Sequence, residues 1–167
     1  TNIAVPTPAN TPGTGLFEGA RYQTTGVYRP THNSCLMRSL GTSFCTVCRQ
    51  AYVKRLYSGW GGVPAGGIDL IEPGGESPSP TTPVVYAAGS NRVFSAQVLR
   101  PETGVVAVQW LLDGVPIPGA NTENLVFNQA ALTPATRTLQ LRVTDQSPFV
   151  HEQMTDGLMV HTRSWTI

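Results

Sequence analysis

The chain has 167 residues, with 11 Lys+Arg against 10 Asp+Glu and a formal net charge of +1. Only 13% of residues are charged while 40% are hydrophobic, so apolar material is ample for a packed core and wholesale disorder is excluded. Near-neutrality removes the electrostatic footprint of a nucleic-acid partner, and no apolar run approaches the roughly 20 residues that cross a bilayer.

In chain order, residues 1–15 hold four threonines, three prolines and two glycines and are expected to be extended loop. The chain opens at Thr1 and not at a methionine, with no basic-then-apolar leader, which points to a processed product or a piece of something longer. One helix is predicted over residues 43–57. Phe44, Val47, Cys48, Ala51, Tyr52 and Leu56 recur there at spacings of three and four, Thr42 or Ser43 can cap the start, and Gly59 follows the end. Residues 59–83 are so rich in Gly and Pro that they read as a linker, although Ile68, Leu70 and Ile71 offer apolar groups to a neighbour. Short β-rich runs follow at 84–88, 92–99, 105–112, 124–128, 137–145 and 157–167. Leu139, Leu141 and Val143 alternate with Gln140, Arg142 and Thr144, the pattern of a strand with one buried face. Asp113-Gly114 and Pro118-Gly119 supply turns.

Charge and cysteine are also unevenly divided. Residues 1–60 carry six basic residues and a single acid, Glu18, together with all three cysteines. The predicted organisation is therefore a segment at 1–58, a linker at 59–83, and an all-β immunoglobulin-like sandwich at 84–167, without cysteine and so without an inter-sheet disulfide.

The densest chemistry is the set His32, Cys35, Cys45 and Cys48. Thiolates and an imidazole are soft ligands that suit tetrahedral zinc. A disulfide from Cys35 to Cys45 or Cys48, leaving one buried thiol, is the favoured reading, because the low-Lys, Gly/Pro/Thr-rich composition fits an extracellular or periplasmic protein. Cys45-Thr46-Val47-Cys48 at a helix start also has the form of a redox pair, but no strand precedes it as a thioredoxin-like unit requires. Glu18 reads as an ion-pair partner for Arg21, Arg29 or Arg38 more readily than as a general base. His151 and His161 lack neighbouring ligand spacing and are expected to be surface or strand residues. There is no HExxH, no G-x-S-x-G and no phosphate-binding loop, so no complete active site is encoded.

Three blocks in order, residues 15–30 (GLFEGARYQTTGVYRP), 34–39 (SCLMRS) and 44–49 (FCTVCR), resemble the end of the catalytic domain of the M64, or IgA peptidase, family of zinc metallopeptidases. The resemblance implies an α+β fragment of a metzincin-like subdomain, loops plus one helix, followed by an immunoglobulin-like extension ending in an Arg-x-Trp tail at Arg163–Trp165. It further implies a catalytic zinc in the complete enzyme, held on a helix upstream of this chain, and a protein or peptide substrate. Met37 would be the Met-turn residue forming an apolar floor under the metal without ligating it. The tyrosine that some metzincins place two residues later is Ser39 here, leaving Tyr28 or Arg29 as the candidates for stabilising an oxyanion. On this reading the chain is the C-terminal portion of a secreted zinc endopeptidase that is inactive alone, with the upstream catalytic region as its partner. Two rivals are a non-catalytic module whose sandwich binds extracellular protein or glycan through exposed aromatics such as Phe127 or Phe149, and a small cysteine-based zinc-binding domain.

Overall fold

A computed structural model describes residues 2–59, 67–85, 89–102, 105–128, 136–150 and 157–167. It divides into two compact units, Thr1–Arg55 with Phe149–His151, and Leu56–Pro148 with Glu152–Ile167. His151 and residues 86–88 of the first predicted β run lie outside the described residues.

The first unit contains an element that was not expected, an antiparallel hairpin of β1 (Phe17–Ala20) and β2 (Gln23–Arg29). Ala20 pairs with Gln23, so the loop is the dipeptide Arg21-Tyr22, both residues with positive φ (51° and 65°). This is the left-handed pair that twists correctly into a hairpin, a position normally filled by Asn-Gly. Arg-Tyr gives no such signal, which is why the hairpin was not legible. The preceding coil is stitched onto it: the Thr7 amide donates to Leu16 O (2.8 Å), and Thr7 Oγ1 accepts from the Leu16 amide (2.8 Å) while donating to Ala4 O (2.9 Å). Gly15 donates to Pro30 O at 2.9 Å.

The helix, α1 (Thr46–Ser58), begins later than predicted. Cys45 occupies the cap position, its carbonyl accepting the Arg49 amide at 2.9 Å, and Cys48 lies in the first turn. Thr42 instead turns its hydroxyl back to Ser39 O (2.8 Å) inside the preceding loop. The face predicted to be apolar is not covered within this unit: Val47 and Tyr52 are exposed, and Tyr52 only stacks on Phe44 with ring centroids 6.3 Å apart.

In the second unit, β3 (Asn91–Ser95) pairs with β6 (Asn124–Asn128), and a four-stranded antiparallel sheet runs β5 (Val115–Pro116), β4 (Val106–Leu112), β7 (Thr138–Asp145), β8 (Val160–Thr166). Asp113-Gly114 makes the β4–β5 turn, both with positive φ. The alternating residues of β7 bury Leu139, Leu141 and Val143 completely. Across the core, Phe94 of β3 meets Trp110 of β4 and Trp165 of β8 edge-on, at 6.3 and 5.8 Å, and the two tryptophans lie 5.3 Å apart. Each indole N–H is satisfied, Trp110 by Thr122 O (2.9 Å) and Trp165 by Pro78 O (2.7 Å), as burial of an indole demands. The architecture is thus α+β and mostly β, compatible with a β-sandwich.

The described part of the stretch read as a linker, residues 67–83, is built into this second unit. Leu70 and Ile71 are fully buried, Ile71 bridges to Val98, and Ser77 bridges to Ser95. Glycine is used here for close approach as much as for freedom: a Cβ on Gly67 would lie 2.2 Å from the Tyr57 carbonyl oxygen. The stretch is fastened by β8, whose inward positions 161, 163 and 165 are His, Arg and Trp. Arg163 donates to Glu76 Oε1 and Asp69 Oδ2, both at 2.6 Å, and His161 Nδ1 lies 2.8 Å from Asp69 Oδ1. Burial works to raise the Asp69 carboxyl, but hydrogen bonds from Arg163, the Ile71 amide and His161 outweigh it and hold Asp69 below its ordinary value. Nearby, Tyr57 donates to Asp145 Oδ2 at 2.6 Å, and burial with that acceptor pushes its phenol far up.

Candidate functional site

A cleft of ≈ 790 Å³ lies in the first unit, between the hairpin and the loop that leads into α1. Glu18, Arg29, Cys35, Met37, Arg38 and Cys48 are among the residues that line it. Seven of the residues named from the sequence therefore share one concavity: Glu18, Arg21, Arg29, Cys35, Met37, Arg38 and Cys48.

The hairpin supplies Glu18 and Arg29. Glu18 Oε1 accepts the Gly26 amide at 2.8 Å, so the carboxylate closes the hairpin from within. Arg29 does not take up that carboxylate as the ion-pair reading anticipated. Its Nη1 donates instead to the backbone carbonyls of Glu18 and Gly19, at the bulge where the β1–β2 register shifts, and its Nε to His32 O at 3.0 Å. Arg29 thereby locks the bulge to the following loop. Tyr28 pairs opposite Glu18 in register and is exposed.

The loop supplies Met37 and Arg38. Leu36 donates to Ser43 O (2.9 Å), and the Arg38 and Ser39 amides both donate to Cys35 O, at 2.8 and 2.9 Å. This tight turn presents Met37 at the cleft with 76% of its surface exposed. Arg21 and Arg38 also line the cleft, beside Arg29, so it is basic, with Glu18 as its carboxylate. Sequence reasoning named these two arginines only as ion-pair partners of Glu18. The signal for a basic cleft was there in the excess of basic residues over the first 60 positions, and both arginines lie within the blocks 15–30 and 34–39.

The cysteines converge, and the expected disulfide is not formed: Cys35, Cys45 and Cys48 are free. Their sulfurs lie within 4.8 Å of one another, with Cys35 and Cys48 at 3.6 Å. The amides of Cys45 (3.4 Å) and Met37 both donate to Cys35 Sγ. Burial opposes ionisation of Cys35, but these amides and the neighbouring thiols prevail and lower its pKa. Cys48 is pushed up to about 12, first by burial and then by the two sulfurs beside it. His32 is not brought into this group. Its ring lies 5.8 Å from that of Phe17, and its Nδ1 lies 3.4 Å from Asn33 Nδ2.

Elsewhere, the aromatic residues considered for surface recognition divide. Phe127 is core, edge-on to Phe94 at 6.4 Å, because its β6 position faces inward. Phe149 is partly exposed beneath the Arg49 guanidinium, 5.8 Å from its ring centre.

A catalytic zinc of the HExxH kind finds no ligand set among the described residues. Among the described residues, the group able to hold a metal is the cysteine triad, and the cleft brings in Glu18 but no histidine. Residues 4–56 match a family model described as IgA Peptidase M64. No curated protein and no solved structure matches the chain.

Proposed function

We propose that the chain is the C-terminal portion of a secreted zinc metalloendopeptidase and that its first unit forms one wall of the substrate cleft. One observation carries this reading: every residue that lines the cleft, from Glu18 to Cys48, falls inside the segment matched by the peptidase family model. The metal-binding residues and the general base belong to a preceding part of the polypeptide. The bound zinc would supply Lewis-acid activation of water and of the scissile carbonyl.

What this chain contributes is shape and charge. Met37 offers an exposed apolar surface on the Cys35–Ser39 turn, as a floor beneath the metal requires. Arg29, spent on three carbonyls, is a positioning residue that holds the bulge and the loop together. Arg21 and Arg38 bring positive charge to the cleft, where they suit peptide carbonyls or an acidic side chain of the substrate. Glu18, committed to the Gly26 amide, is not the general base. The second unit is an immunoglobulin-like sandwich appended to the catalytic part, and the sparse lysine and abundant Gly, Pro and Thr support an extracellular or periplasmic setting.

The experiment compares the 167-residue chain with a longer polypeptide that includes the upstream region. The longer protein is expected to cleave a denatured protein substrate in a chelator-sensitive manner, and the chain alone to cleave nothing. Activity from the chain alone, or chelator-insensitive cleavage by the longer protein, overturns the proposal.

A further inference from the structure

We infer that Cys35, Cys45 and Cys48 bind one zinc ion as a three-thiolate centre, separate from the catalytic zinc, with the fourth coordination position filled from the cleft by solvent. The inference is independent of the peptidase reading and rests on geometry. Tetrahedral zinc with Zn–S bonds of about 2.3 Å places its sulfurs about 3.8 Å apart. Cys35 and Cys48 stand at 3.6 Å, and all three sulfurs fall within 4.8 Å.

The approach to the triad is that of a metal-binding turn. Cys45 at the cap and Cys48 in the first turn of α1 put two sulfurs at the positive end of the helix dipole, whose first turn holds no acidic residue. Cys35 sits on the opposing tight turn and accepts two backbone amides, from Met37 and Cys45, the kind of outer-shell donation that fixes a thiolate ligand. Sulfurs this close repel one another once ionised, so a cation between them is what allows all three to be thiolates. Soft sulfur selects zinc over the oxygen-seeking divalent ions. Cys35 and Cys48 also line the cleft, which gives the ion an entry path and its fourth ligand.

Such a centre would also brace the first unit. Its buried side chains are few, Phe17, Cys35, Cys45 and Val150 among them, whereas Met37, Leu40 and Tyr52 are exposed. Small units bury a smaller fraction of their surface than large ones, and a structural metal is one of the staples that offset this. Binding exchanges protons for metal: three thiols and Zn²⁺ give a zinc tris-thiolate and three protons, with no change in oxidation state.

The test uses the whole 167-residue chain under reducing conditions. One zinc per chain is expected after dialysis, and cobalt in its place should give the near-ultraviolet charge-transfer absorption of three thiolates. Cys48→Ser should weaken zinc binding by more than about 100-fold, beyond the roughly 10- to 100-fold cost of losing an outer-shell partner. His32→Ala should leave binding unchanged. The cobalt spectrum of the unaltered chain needs no substitution, so it stands even if a cysteine variant fails to fold. Absence of zinc, a cobalt spectrum without thiolate bands, affinity unchanged by Cys48→Ser, or loss of binding in His32→Ala overturns the inference.

Discussion

The two units solve the same problem with different means. In the second, Phe94, Trp110, Trp165 and the inward face of β7 form one apolar core, and several polar groups at it are matched to partners: both indole N–H groups, Asp145 with Tyr57, Arg163 with Glu76 and Asp69. Among its described residues the first unit has no comparable core. Leu40 is 95% exposed, and order comes from backbone stitching at Thr7 and Gly15, from Arg29 across the hairpin bulge, and from the cysteine triad. The second unit contains no cysteine, whereas the first carries all three at the site that helps to order it. The second unit should therefore be insensitive to thiol chemistry and metal, and the first should follow both.

The largest effect is expected from Trp165→Ala, which empties the space beside Phe94 and Trp110 and strands Pro78 O. Phe or Trp to Ala in a core costs about 3 to 5 kcal/mol. Amide exchange should show β7 losing protection while β2 keeps its own, and equal loss in both strands would break the distinction between the units. Next is Arg163→Ala, which leaves Glu76, 6% exposed at its side chain, without its cation. Breaking such a pair costs about 2 to 3 kcal/mol when the partners are partly solvated. Because Asp69 is held below its ordinary 3.8, its contribution is complete above that value and is lost as pH falls through the depressed one. The gap in denaturant midpoint between the unaltered chain and Arg163→Ala should thus be constant near neutrality and narrow in acid. A gap that does not narrow would mean that Asp69 gains nothing from Arg163.

Much of the second unit was legible, because a strand with one buried face writes its period into the chain. The run predicted at 124–128 is β6 itself, and those at 105–112 and 137–145 differ from β4 and β7 by one residue at the start. β8 starts later than its predicted 157–167, since residues 157–159 form a turn. What stayed hidden there is the role of residues 67–83. Gly and Pro mark freedom and close approach alike, and the partners that decide between them, His161 and Arg163, are about 90 positions away. In the first unit Met37 and Arg29 were legible from resemblance and Glu18 and the cysteines from charge and spacing, but their convergence on a cleft depends on the hairpin. That hairpin rests on a turn written in residues that disfavour it. The cysteines show the same limit: spacing alone allowed a disulfide, a metal or a redox pair, and only the positions of the sulfurs favour the metal.

Smaller effects should be confined to the first unit. A Cβ on Gly15 would lie 2.7 Å from Thr7 Oγ1 and 3.0 Å from Phe17, where Thr7 already both donates and accepts. Gly15→Ala is expected to cost about 1 to 2 kcal/mol as an overpacking substitution, seen as faster exchange in β2 with β7 unchanged; unaltered β2 would mean the coil at 2–16 does not brace the hairpin.

The smallest effect has the opposite sign and reaches furthest into the comparison. Arg21 and Tyr22 sit at φ of 51° and 65°, and Tyr22 buries nothing that its removal would expose. Replacing them by Asn and Gly supplies the residues this turn type favours and relieves about 1 kcal/mol of left-handed strain. Protection in β1 and β2 should rise by that amount while the second unit stays as it was. If the gain appears with zinc present and also after its removal, the hairpin limits the order of the first unit. If it appears only with zinc bound, the thiolate centre limits that order and the hairpin forms on a scaffold the metal has already fixed.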